Sequence, residues 1–249
     1  MKNQYFGDVG DFGKYGLLTE LASGPLKLGV NWYLTMDDTK SDGKHTNYFE
    51  KPEFILCDQE LHDFLKGSVI DDRRNVNEIS KLTRFDHVSF YNEILNVEDI
   101  PSHSASGRRA REKRREEWFE SSLKKLHGCN LIFCDPDNGI ETRSLSKTGK
   151  NSVKYIFAYE INTMIENGFS LAIYNHKNRK PDFEYINRIR EICINTPRRL
   201  KMKVLRYNRW GVRDYIVLMQ QDHSDLIEQQ LDAFLASGSW SKHFTEIDI

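Results

Sequence analysis

Asn130-Leu131-Ile132-Phe133-Cys134-Asp135-Pro136-Asp137-Asn138-Gly139-Ile140-Glu141 is an apolar run that halts at an acid and a proline. Leu131 to Cys134 have the length and composition of a strand buried on both faces, as in parallel sheets. Proline cannot donate to a ladder and Asn-Gly turns the chain, so the strand is expected to end at Asp135. Asp135 and Asp137, with Glu141 close behind, then stand at the carboxyl end of a buried strand. Open α/β sheets bind their ligands there. The plainer alternative is a turn with a helix cap, because Asp and Asn are common at such turns.

Working outward, apolar runs alternate with helical patterns. A first helix is predicted over Leu17 to Leu21, stopped by Gly24-Pro25, and a strand over Leu28 to Thr35. Helical regions are predicted from Pro52 to Lys66, Asn75 to Arg84, Arg108 to Leu126, Ile156 to Ile165 and Phe183 to Ile194. Further strands are predicted at Val88 to Tyr91, Ser170 to Tyr174, Lys203 to Tyr207 and Asp214 to Met219, the last two joined as a hairpin at Trp210-Gly211. Strands alternating with helices predict one doubly wound, mostly parallel α/β domain over residues 1–249, with an antiparallel edge. Residues 52–107 fit that rhythm poorly and read as a helical insertion covering the site.

The chain has 249 residues, 39% of them hydrophobic and 12% aromatic, enough for a sizeable core. A formal charge of −1 hides local segregation of sign, so partners must be read from patches. No stretch reaches the length of a membrane helix and no apolar signal core follows Met1, which gives the expectation of a cytoplasmic protein without membrane contact. Cys57, Cys129, Cys134 and Cys193 show no paired spacing, so neither a disulfide framework nor a zinc site is indicated. Oligomeric state is not written in the chain.

Two further constellations carry chemistry. Between Tyr5 and Leu18, Gly7, Gly10, Gly13 and Gly16 interleave with Asp8, Asp11 and Lys14. Such a segment lets backbone approach a ligand closely while Lys14 offers a charge, although it is neither a dinucleotide fingerprint nor a P-loop. Read by itself it is a flexible amino-terminal stretch. Basic residues form three sets: Arg108, Arg109, Arg111, Lys113, Arg114 and Arg115; then His176, Lys177, Arg179 and Lys180; then Arg206, Arg209 and Arg213 around Trp210. Each could neutralise phosphates. The first could equally be a solvated helix face laced by Glu112, Glu116 and Glu117. His176, just past a strand end, is the histidine best placed for proton transfer.

The order of these features resembles the bacterial adenine-N6 methyltransferases of large-subunit ribosomal RNA, the methyltransferase J family. Gly7-Asp8, Asp11-Phe12 and Lys14-Tyr15 match that family's opening segment, and Asp135-Pro136-Asp137-Asn138 stands where it has its catalytic Asp-Pro-Pro-aromatic motif. Closer still is a bacterial family marked by N-Q-Y-F-G-D at its start and D-P-D-N-G further on. The resemblance implies a Rossmann-like, methyltransferase-like fold and S-adenosylmethionine held near Tyr5, Gly7, Asp8, Lys14 and Asp37. It implies that Asp135 orients the acceptor; together with the turn and the basic sets, the reading expects catalysis by Asp135, Asp137, Asn138 and His176, and nucleic acid on Arg108, Arg109, Arg111, Lys177, Arg179, Arg209 and Arg213. Asp137 and Asn138 replace the second proline and the aromatic that would stack a flipped base, and the strand ending near Thr35 lacks a glycine-rich turn. Two alternatives stay open. Asp135, Asp137 and Glu141 could hold Mg²⁺ in a nuclease or phosphodiesterase, with Lys147 or Lys154 on phosphate. A degenerate fold could also bind nucleic acid without catalysis.

Overall fold

The structure, a computed structural model, describes residues 1–39, 43–177, 180–193 and 200–248. Its sheet has the order β2-β1-β3-β6-β8-β7-β9. The strands are β1 (Leu28–Asn31), β2 (Ser89–Tyr91), β3 (Leu131–Cys134), β6 (Ser170–His176), β7 (Lys201–Asn208), β8 (Val212–Met219) and β9 (Phe244–Glu246). β2, β1, β3 and β6 run parallel, while β8, β7 and β9 add an antiparallel edge. This is the expected Rossmann-like α/β fold.

Both faces of the sheet are covered, and alternate side chains of one strand enter different cores. Leu131 and Phe133 join the core built with α1 (Val9–Ser23), α3 (Gln59–Ile70) and α7 (Gln221–Ala236). Ile132 and Cys134 join the core built with α4 (Ala105–Lys125), α5 (Ala158–Glu166) and α6 (Asp182–Cys193). The unbroken apolar run of β3 follows from that double burial.

Several elements differ from expectation. The glycine-rich amino terminus is the first half of α1 and buried throughout from Gly7 to Leu18. Tertiary packing overrides its low helix propensity. Glycines at every third position open one face of the helix. A Cβ at Gly10 would lie 2.7 Å from the Arg213 guanidinium, one at Gly13 2.6 Å from the Tyr207 ring, and one at Gly16 2.2 Å from the Trp240 ring. Pro52 to Ile70 is broken into α2 (Pro52–Ile55) and α3, with Asp58 capping the second through the Leu61 N–H. Asn75 to Arg84 forms two short 3-10 stretches rather than an α-helix. Residues 52–107 therefore include β2, the outer strand, and form a long crossover as well as a cover. α7, β9 and a two-stranded parallel ladder of β4 (Gly139–Ile140) and β5 (Tyr155–Ile156) were not anticipated.

The path from β1 to β2 runs over the α1 side, and the path from β3 to β6 runs through α5 on the other. The carboxyl ends of β1 and β3 thus form the topological switch point, where a crevice opens in doubly wound sheets.

Candidate active site

Asp135 is the first residue past β3, and its N–H donates to the Asn31 carbonyl (2.9 Å) as the last rung between β3 and β1. Its buried carboxylate meets Lys14 Nζ at 2.6 Å. Lys14 is one helical turn along α1 from Asp11, whose carboxylate it contacts at 2.8 Å. Asp8, the helix cap, accepts from the Gly10 N–H and, with its other oxygen, from the His45 N–H, both at 2.9 Å. One cap thereby fixes both the start of α1 and the chain entering the site at Gly43. The amine of Met1 donates to the Asp135 carbonyl at 2.9 Å.

These groups line a cavity of about 490 Å³, joined by Tyr5, Asp137, Asn138, Asn151, Lys154, Tyr174, His176, Trp210 and Arg213. The size suits a small ligand. Asp137 pairs with Lys154 at 3.0 Å. Gly139, with φ +98°, lets the chain pass over Asn175, whose side-chain oxygen accepts from the Ile140 N–H at 2.7 Å and would lie 2.0 Å from a Cβ. The D-P-D-N-G turn is thus shaped by β6 beneath it.

Electrostatics follow from burial. Desolvation raises the Asp11 carboxyl to about 6, despite the Lys14 charge beside it. Burial disfavours the Lys14 charge, yet Asp11 and Asp135 together hold its pKa above the ordinary lysine value. At Asp137, burial is outweighed by the Met1 amine and Lys154, which keep the carboxyl below its usual range. Desolvation, with the Arg213 charge, lowers His176, whose Nε2 lies 3.1 Å from the Tyr174 hydroxyl. Among the described residues, Asp11 Oδ2 is buried with no hydrogen-bond partner.

The fold therefore brings Tyr5, Asp8, Lys14, Asp135, Asp137, Asn138, His176 and Arg213 around one cavity. Other candidates have different employment. Gly7 makes a left-handed turn (φ +82°), its carbonyl accepts from Tyr48 Oη, and Val69 would meet a Cβ at 2.5 Å. Asp37 is exposed and accepts from the Gln4 N–H. Glu141 accepts from the Ala158 N–H at the start of α5 (2.8 Å). The three acids of the magnesium alternative thus serve separate partners, and no group of His, Cys, Asp and Glu suited to a metal ion occurs among the described residues.

Arg111, expected at nucleic acid, faces the protein interior. It is buried and donates to the Ile100 and Thr148 carbonyls, because α4 turns it inward with Arg115. Lys177 pairs with Asp182, and Arg209 donates to His243 Nδ1 and the Lys242 carbonyl. Arg108 and Arg109 are exposed on α4, while Arg179 lies outside the described residues. Asp11, His45, Asn151 and Tyr174 had been given no role. For Asp11 the signal was its spacing of three from both Asp8 and Lys14, legible only once the segment is taken as helix.

Fold and cavity together define an α/β protein with a polar cavity at its switch point. No family model matches the chain, and no curated protein matches it. The chain is similar to a solved structure from Legionella pneumophila str. Philadelphia 1, described under the family model DUF519, with a TM-score of 0.45 and 11% identity over 97% of this chain and 96% of that one. Among the described residues, no helix is long and apolar enough to cross a membrane.

Proposed function

We propose that the protein is a methyltransferase-like enzyme acting on nucleic acid, with its reaction centre where Asp135 meets Lys14. The observation that carries this reading is the buried Lys14–Asp135 ion pair, joining the amino-terminal segment to the acidic turn at the switch point while lining the cavity. S-adenosylmethionine needs a cation for its carboxylate, anions for its ammonium and sulfonium, and a planar neighbour for its base. Lys14 and Arg213 supply the first, Asp8, Asp11 and Asp137 the second, and Tyr5 the third. The unpartnered Asp11 Oδ2 is an acceptor with capacity for such a ligand. These side chains fit the group. Fully buried Trp32 and Tyr33 follow β1 where a glycine-rich turn would admit a nucleoside, so retention rests on the cavity's side chains.

When bound, that group supplies the methyl. The chain's own residues position the acceptor and handle its proton. Asp135, held by Lys14, can accept a hydrogen bond from an exocyclic amine. His176, its pKa lowered, is neutral at pH 7 and can take the departing proton, with Tyr174 orienting its ring.

Calorimetry with S-adenosylmethionine and its demethylated product tests the reading, which fails if neither binds at millimolar concentration. Asp135→Asn is expected to change donor affinity by only a few fold while lowering methyl transfer by about 10²- to 10³-fold.

A further inference from the structure

The hairpin between β7 and β8 carries a feature that methyl-donor binding does not use. Trp210 is 38% exposed, whereas Trp32, Trp118 and Trp240 are buried. It lines the main cavity and also a second hollow of about 300 Å³ formed with Lys51, Glu53, Phe54, Asn208 and Arg209. Trp210 therefore stands between the two, its ring centroid 6.4 Å from that of Phe54. Its backbone lies in the left-handed region (φ +47°), which a bulky residue rarely adopts, and Gly211 follows at φ +112°. Arg213 clamps that tip from inside, donating to the Arg209 carbonyl at 2.9 Å and the Gly211 carbonyl at 3.1 Å. Lys51 Nζ sits 4.2 Å from the ring centroid. The tip thus holds a large aromatic with more than a third of its surface in solvent and a cation over one face, at the mouth of a polar cavity.

We propose that Trp210 is the stacking platform for a base of single-stranded nucleic acid, whose sugar-phosphate chain lies along the hollow beside Lys51 and whose stacked base enters the cavity beside Asp137 and Asn138. This rests on the reading of the cavity as a nucleic-acid active site and names how the substrate is gripped. The turn Asp135-Pro136-Asp137-Asn138 has no aromatic residue, and Trp210 provides a π-face from a different element. Every base has such a face, so the contact confers affinity without strong sequence preference. Lys51 adds attraction for the phosphates of the same strand.

Binding of short fluorescently labelled single-stranded RNA and DNA, followed by anisotropy with no methyl donor present, tests the proposal. Trp210→Ala is expected to weaken binding by about tenfold to one hundredfold, and Trp210→Phe by much less. Intrinsic fluorescence gives an independent readout. Oligonucleotide should quench the wild-type indole emission, and that quenching should vanish in Trp210→Phe, whose three buried tryptophans remain. Equal affinity of Trp210→Ala and wild type, with thermal unfolding showing both folded, overturns the proposal, as does absence of quenching on saturation. Because no donor is added, these outcomes are separate from failure of the methyl-donor reading. An oligonucleotide that binds and quenches through Trp210 upholds the stacking role even if the donor never binds, and preference for RNA or DNA identifies the substrate.

Discussion

At the scale of residues, the centre of the site is two carboxylates sharing one ammonium, all buried. Asp11 and Asp135 both touch Lys14, so the triad carries an unbalanced negative charge. Desolvation places the cost on Asp11, whose carboxyl titrates near 6 instead of 3.8. A folded carboxyl that holds its proton more tightly than the unfolded chain stabilises at low pH. Its contribution is complete below about 4 and is lost as the pH rises through about 6. Wild-type melting temperature should therefore carry a downward component between pH 4 and pH 7, worth on the order of 2–3 kcal/mol at most. Asp11→Asn should lack that component, so the difference in melting temperature between variant and wild type should shift in the variant's favour as pH rises. A pH-independent difference would exclude Asp11 as the titrating group. The importance of Asp135 and Lys14 was legible in the sequence from the turn after an apolar run and from a lysine among glycines. Their contact was not, because 121 positions separate them and it takes the packing of α1 on the face of β3 to bring them together.

At the scale of elements, legibility depended on which force dominates locally. β3, β6 and β8 were readable because burial on both faces leaves an apolar run that few other structures explain, while β7, only half-buried, was marked by the turn at Trp210-Gly211. α1 was partly misread, since its glycines weaken helix propensity and only the neighbours that need the space explain them. α7 was overlooked even though Ile227, Leu231 and Phe234 recur at helical spacing and are buried. In α4 a dense basic run concealed two faces. Arg111 and Arg115 point inward with Trp118, Phe119 and Ser122. Arg115 pairs with Glu160 at 2.8 Å and donates to the Ser152 and Tyr155 carbonyls, anchoring the segment that presents Asn151 and Lys154 to the cavity. Charge density alone cannot separate these from exposed Arg108 and Arg109. The glycine face of α1 gives a test at this scale. Gly16→Ala should destabilise by about 1–3 kcal/mol, despite the better helix propensity of alanine, because the added methyl meets the Trp240 ring. Trp240→Leu should itself destabilise, but Gly16→Ala added to it should cost far less. Denaturant unfolding of the four proteins would show a coupling of roughly 0.5–3 kcal/mol, and strict additivity would mean that the contact does not limit α1 packing.

At the scale of the whole molecule, a helix that follows a parallel strand returns antiparallel to it, so its amino end lies at the same sheet edge as the strand's carboxyl end. α4 follows β2, and Arg108 and Arg109 lie in its first two turns, on the edge where the cavity opens. The Arg111 tie to the Thr148 carbonyl (2.9 Å) joins that helix end to the segment leading to Asn151. A strand held at Trp210 and crossing the cavity would continue toward these two arginines, of which Arg108 also donates to the His103 carbonyl, whereas Arg111 and Arg206 are turned to buried or ion-pair partners within the protein. Nucleic-acid affinity falls with salt in proportion to the number of phosphates neutralised, so the slope of log K against log salt counts exposed cations in contact. Replacing both Arg108 and Arg109 with glutamine should reduce the magnitude of that slope by about 2 and weaken binding uniformly across sequences. Arg111→Gln should instead lower thermal stability, because the buried Thr148 carbonyl and the half-buried Ile100 carbonyl lose their donor. An unchanged slope in the double variant would confine the strand to the Lys51–Trp210 side of the cavity and leave α4 a solvated outer face.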